Sequence, residues 1–136
     1  KRYHHINEFE RLLVDEGTVI LKFYLNIDLQ EQAERFLDRL EEPDKHWKFN
    51  PGDLEDRKLW DSYMEAYEDL LNKTSTEWAP WYVIPSNKKW YRNLLAAIIV
   101  RDALLDMKME FPAPPPDLGH YHDIVLEMVL SYEEED

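Results

Sequence analysis

Arg35 and Arg39 stand four residues apart, the spacing that places two side chains on one face of a helix. Like charges so placed cost roughly 0.2–0.5 kcal/mol. An anionic ligand reverses that cost, because guanidinium forks match phosphate oxygens. The plain alternative is that Glu31 and Asp38 pair with Arg35 at helical spacing. Lys45, Lys48 and Arg57 flank a Pro51-Gly52 turn that lies between Trp47 and Trp60. They bring further positive charge near the two arginines, which a long polyanion could use, although lysines around a turn are ordinarily just solvated. Lys88 and Arg92 repeat the four-residue spacing at the start of a helix after a strand, the edge where ligands lie in a doubly wound sheet. An exposed basic turn accounts for them equally well. Trp47 and Trp60 could stack on a nucleobase, but large aromatics at helical spacing are read as core.

These cations stand out because the chain is acidic, with a formal net charge of −13. That balance argues against a broad face for duplex DNA or an anionic membrane, so an anion must be met by a local pocket. There is no cysteine, which removes disulfides, thiolate metal sites and cysteine nucleophiles and fits a reducing cytoplasm. His4-His5 and His120-Tyr-His122 invite a metal reading, but a closed zinc site needs about four ligands. They are read as surface histidines beside carboxylates, and no metal ligand is assigned. No serine lies in a G-x-S-x-G elbow. The hydrophobic fraction of 44% within 136 residues is that of one folded domain. The first residues do not read as a secretory peptide, and no stretch approaches the ~18 consecutive apolar residues of a membrane span.

The elements that would position these residues alternate. From Tyr3, Ile6, Phe9, Leu12 and Leu13 recur at helical spacing until Gly17. Thr18 to Ile27 is β-branched, aromatic and nearly continuously apolar, as suits a strand buried on both faces of a parallel sheet. Asp28 is placed to cap a helix from Leu29 to about Leu40, with Glu31 in its first turn. Asp53 is the expected cap of one long helix from Leu54 to about Leu71. Trp81 to Ile84 is a second buried strand, and Ser86 is the expected cap of a helix from about Asn87 to Met107. The centre of that helix, Leu94 to Val100, is apolar nearly all round and is expected to be buried. A Pro112 to Pro116 linker precedes a last helix, His120 to about Tyr132, and an acidic tail, Glu133 to Asp136. The order points to an α/β layered fold.

A longer series of residues carries a resemblance. It runs Arg2-Tyr3, Ile6-Asn7 and Phe9-Glu10, then Leu21-Lys-Phe-Tyr-Leu25, Glu31-Gln32, Arg35, Arg39, Pro43, Lys45 and Trp47-Lys48-Phe49. It continues through Asp53, Trp60-Asp61, Tyr63, Thr74-Ser75-Thr76, Ala79-Pro80-Trp81, Lys88 and Arg92. From Arg2 to Met107 the chain resembles the C-terminal half of the polyphosphate kinase 2 family. Residues 113–136 are not covered.

The resemblance implies a partial P-loop kinase-like α/β/α sandwich, mostly helical, with about two parallel strands in this segment. Residues 1–111 would be the C-terminal part of the catalytic domain, including a lid around Trp47 to Tyr63, and 112–136 the linker, last helix and tail. It implies transfer of a phosphoryl group between inorganic polyphosphate and a nucleoside mono- or diphosphate, with Mg2+ as cofactor. Arg35 and Arg39 would be catalytic, and Lys45, Lys48, Arg57, Lys88 and Arg92 would bind substrate. The partners expected are polyphosphate and a nucleotide in a cytoplasmic homo-oligomer, without DNA, RNA or membrane. The sequence departs from the family at the Walker A turn, since Gly17, Gly52 and Gly119 are its three glycines and none sits in G-x-x-x-x-G-K. The family's second acidic motif would lie upstream. Asn26 and Leu29 stand where histidine and lysine are common in relatives. The chain alone is therefore expected to be inactive, and a non-catalytic fragment acting as a binding module is the alternative.

Overall fold

The computed structural model describes residues 1–133. The expected acidic tail, from Glu134 on, lies outside them. The chain divides into two compact units, Lys1–Asp106 and Met107–Asp136.

The first unit opens with helix α1, Arg2–Asp15. Gly17 ends it with φ +87°, a left-handed conformation that glycine adopts without strain. In that turn the Gly17 N–H reaches the Val14 carbonyl and the Thr18 N–H the Leu13 carbonyl, both at 2.9 Å. Strand β1, Lys22–Asn26, and helix α2, Leu29–Glu41, follow. A short 3₁₀ segment, Pro43–Lys48, leads to helices α3, Gly52–Arg57, and α4, Trp60–Thr74, then strand β2, Trp81–Pro85, and helix α5, Lys89–Asp106. β1 and β2 pair in parallel, with Lys22 opposite Trp81, Tyr24 opposite Val83 and Asn26 opposite Pro85. The expected parallel pair among helices is thus present. A helical crossover separates the strands, which is what parallel pairing requires.

Several expectations are corrected. The strand is shorter than Thr18 to Ile27, and it is not buried on both faces: Leu25 and Val83 are 50% and 52% exposed, whereas Ile84 is buried. Leu25 is in register with Ile84 and Val83 with Tyr24, so the two exposed residues lie on opposite faces and each face of the two-stranded sheet is covered only in part. The single helix expected from Leu54 to Leu71 is broken. The N–H groups of Lys58 and Leu59 bond three residues back, to the Glu55 and Asp56 carbonyls, a tighter turn that ends α3 before Trp60 starts α4. Asp53 does not cap α3, which begins without a side-chain cap; Asn50 Oδ1 accepts from the Gly52 N–H instead, at 2.9 Å. Ser86 does not cap α5 either, because its buried hydroxyl donates to the Ile84 carbonyl at 2.8 Å. α5 contains no buried residue. Its apolar surface runs nearly all round, but within this unit it packs chiefly on β2.

The small core holds Phe36, Ala79 and Ile84 with three buried polar residues, Lys22, Thr74 and Ser86. Lys22 Nζ donates to Glu10 at 2.7 Å and to the Thr74 carbonyl at 2.6 Å. One cation thereby joins α1, β1 and the end of α4, and its charge is paired as burial demands. The Thr74 hydroxyl accepts from the Trp81 indole at 2.8 Å, carrying the network into β2.

The second unit carries helix α6, Leu118–Glu133, beyond Pro112 and Pro114 to Pro116. Among the described residues no helix is long and apolar enough to cross a membrane.

Candidate functional site

Both strands point their carboxyl ends at the start of a helix. β1 runs into α2 through Ile27 and Asp28, and β2 runs into α5 through Ser86, Asn87 and Lys88. The ladder extends one step past the strands, where the Ser86 N–H donates to the Asn26 carbonyl at 2.7 Å. Asp28 caps α2 as its type and position dictate, accepting from the Glu31 N–H at 2.8 Å. Its carboxyl is held below the ordinary carboxylate range, first by that N–H and then by the Asn87 side-chain amide.

Two adjoining cavities open at this edge and share Ile27, Trp60 and Met64. The larger, about 720 Å³, is lined by Asp28, Asn87, Lys88 and Tyr91 among others. The smaller, about 420 Å³, is lined by Arg35, Arg39 and Arg57 together with Asp53 and Asp56. Three guanidinium groups from α2 and α3 therefore face one cavity against two carboxylates.

They are held differently. Arg35 Nε donates to Glu31 at 2.8 Å and a terminal nitrogen donates to the Ser86 carbonyl at 2.6 Å, so the helical ion pair and the site geometry coexist. Arg39 is held loosely, with 3.5 Å contacts to Asp53 and to the Lys48 carbonyl and with its guanidinium 5.6 Å from the Phe36 ring. Arg57 donates to the Leu29 carbonyl at 2.9 Å and to Gln32 at 2.6 Å, and it has no carboxylate partner among the described residues. Such neutral partners orient a guanidinium while leaving its charge uncancelled.

The remaining expected binding residues are more scattered. Lys88 borders the larger cavity and has no ion-pair partner among the described residues. Arg92 is one turn along, with its guanidinium on the neighbouring Asn93 side chain. Lys45 pairs with Glu42 at 2.6 Å, and Lys48 lies over the Trp47 ring at 5.1 Å; neither lines these two cavities. Trp47, expected in the core, is 80% exposed because the 3₁₀ segment that carries it runs over the surface. Trp60 is half-buried and lines both cavities.

Sequence reasoning missed two contributors. Asn87 meets Asp28 across 59 residues of chain, a separation that no local spacing rule spans. Gln32, adjacent to Glu31 in the sequence, was not seen as the partner that aims Arg57.

A family model described as Polyphosphate kinase 2 (PPK2) matches residues 1–112. An AMP/ADP-polyphosphate phosphotransferase of Meiothermus ruber is 59% identical over 84% of this chain and 43% of its own length. An uncharacterised protein of Leptolyngbya boryana is 46% identical over 82% of both chains. In the crystal structure of polyphosphate kinase 2 from Arthrobacter aurescens TC1, the similar region has a TM-score of 0.87 at 44% identity. It covers 93% of this chain and 45% of that one. The chain thus spans less than half the length of the Meiothermus and Arthrobacter proteins.

Proposed function

We infer, from the premise that this chain belongs to the polyphosphate kinase 2 family, that it forms the arginine-bearing part of a polyphosphate-dependent nucleotide phosphotransferase. The substrates are inorganic polyphosphate and a nucleoside mono- or diphosphate. The observation that carries the reading is the convergence of Arg35, Arg39 and Arg57 on one cavity beside the carboxyl ends of two parallel strands. Open parallel sheets bind ligands at that edge.

Phosphoryl transfer asks little covalent chemistry of a protein; it is catalysed by positioning and by stabilising charge on the phosphoryl oxygens. Arg39 suits the second task, because its long contacts leave the planar fork free to take oxygens in pairs. Arg35 suits the first, since its fixed bonds align α2 with the β2–α5 loop. Arg57 and Lys88 extend the positive surface along a chain of phosphates. The segment around Trp47 to Tyr63 acts as the lid that excludes water.

Magnesium is the proposed metal, and it supplies charge neutralisation on the phosphates when bound. Among the described residues no three His, Asp or Glu side chains stand together to hold an ion, and no residue of this chain is assigned as its ligand. The proposed setting is the cytoplasm, in a homo-oligomer without DNA, RNA or membrane as partner.

The test is transfer from polyphosphate to AMP or ADP by the natively expressed protein that contains this chain, with its intact mass determined in parallel. Turnover supports the reading, and no turnover from either acceptor overturns it. The alternative reading is a non-catalytic binding module that pairs with another chain. Polyphosphate binding without turnover would support it.

A further inference from the structure

The two loops that leave β1 and β2 are joined at a single pair of side chains. Asn87 Nδ2 donates to Asp28 Oδ2 at 2.6 Å, and Asn87 Oδ1 accepts from the Asp28 backbone N–H at 3.2 Å. The remaining Asp28 oxygen accepts from the Glu31 N–H at 2.8 Å. A helix cap alone needs just that last bond. The reciprocal pair with Asn87 does something further, since it fixes the residue before Lys88 against the first turn of α2. On its other side Ser86 is already held, its N–H on the Asn26 carbonyl and its carbonyl on Arg35. Asp28, Asn87 and Lys88 all line the larger cavity. Placing a carboxylate at the edge of a cavity meant for an anion opposes binding, so its presence asks for a reason. With both oxygens taken by N–H donors, its charge is dispersed and its geometry set.

We propose that Asp28 and Asn87 form a positioning clasp, which holds the β2–α5 loop against α2 so that Lys88 and Arg35 meet a polyphosphate chain in fixed register. The inference rests on the polyphosphate reading of this site. Neither clasp residue touches the substrate; both act through their neighbours.

A swap of the two side chains separates geometry from charge. Asn87→Asp sets two carboxylates against each other and removes the amide donor, which opens the clasp. Adding Asp28→Asn restores it in mirror form. Asparagine at 28 still caps α2 and donates to the carboxylate at 87, and the net charge returns to that of the wild type. The probe is linear inorganic polyphosphate of one fixed length, with binding to the natively expressed protein that contains this chain read from tryptophan fluorescence and from its salt dependence. Amide hydrogen exchange at residues 28–31 and 86–89 is measured without polyphosphate.

The single variant N87D should bind about tenfold more weakly and exchange faster at both loops, and the double variant should return to within about twofold of wild type in both readouts. D28N alone relieves the anion cost but loosens the loops, so faster exchange without tighter binding is expected. Unchanged exchange and affinity in N87D, or a double variant as weak as N87D, would overturn the clasp. Failure of the wild type to bind polyphosphate, with exchange still rescued by the swap, would instead overturn the polyphosphate reading on which its role depends.

Discussion

The guanidinium of Arg35 donates a 2.6 Å hydrogen bond to the backbone carbonyl of Ser86, which ties the middle of α2 to the loop that follows β2. Because another nitrogen of the same group is bound to Glu31, Arg35 is fixed before any ligand arrives. Arg39, one turn on, makes side-chain hydrogen bonds no shorter than 3.5 Å among the described residues. Two arginines of identical spacing therefore differ in how much of their work is structural.

That difference is measurable in the protein without substrate. Lysine at position 35 cannot reach both partners in one plane, so Arg35→Lys should lower unfolding free energy by about 1–2 kcal/mol, the worth of a charged hydrogen bond in a part-buried setting. Arg39→Lys should change it by less than about 0.5 kcal/mol, as for an exposed pair. Urea unfolding of the two variants checks both values.

Lys22 should be far more sensitive. Its side chain and that of Glu10 are 9% and 13% exposed, and Lys22→Met leaves a carboxylate and the Thr74 carbonyl without their donor. A loss of about 3 kcal/mol or more is expected. The double variant with Glu10→Gln should recover part of it, because the stranded charge is gone. Denaturant midpoints for the two proteins decide this, and equal losses would contradict it.

The Asp28 carboxyl sets an acid limit. Its pKa in the folded chain is depressed, chiefly by the Glu31 N–H and next by Asn87. Its contribution to stability is therefore fully present above the ordinary carboxylate range and is lost as pH falls through the lower folded value. Carboxyl-carbon NMR should show Asp28 titrating below a free aspartate, and Asn87→Ala should move it upward. A titration at the ordinary value would remove the basis of the effect.

The 136 residues on their own should give no transfer from polyphosphate to ADP or AMP above a no-protein control in magnesium buffer. None of the three glycines lies in a G-x-x-x-x-G-K turn, so the chain supplies no Walker A cradle for a transferring phosphate. Weak polyphosphate binding, falling as salt rises, should remain.

What could be read beforehand depended on the range of the interactions. The strand at Lys22–Asn26 and the Arg35–Glu31 pair were legible because side-chain type and four-residue spacing determine them. The break at Lys58–Leu59 was not, since Leu54, Trp60, Tyr63 and Met64 keep an apolar helical pattern across it. Trp47 misled because its type signals burial while its 3₁₀ segment lies on the surface. α5 misled for a related reason: an all-round apolar pattern marks a helix meant to be surrounded, and within this unit it packs chiefly on one strand. The Asp28–Asn87 and Arg57–Gln32 contacts join residues 59 and 25 apart; the first exists only once the parallel pair brings the two loops together, the second only once α3 lies against the start of α2.

The central claim is that the arginines of this cavity act on the phosphoryl group being transferred. Its most direct test is the steady-state kinetics of Arg39→Lys in the natively expressed protein that contains this chain, with polyphosphate as donor and ADP or AMP as acceptor. Lysine keeps the charge and loses the planar fork. The account predicts that kcat falls by about 10³-fold or more, as for a finger-type arginine, while KM for polyphosphate changes little. Wild-type kcat in Arg39→Lys, with KM and thermal stability also unchanged, would contradict it.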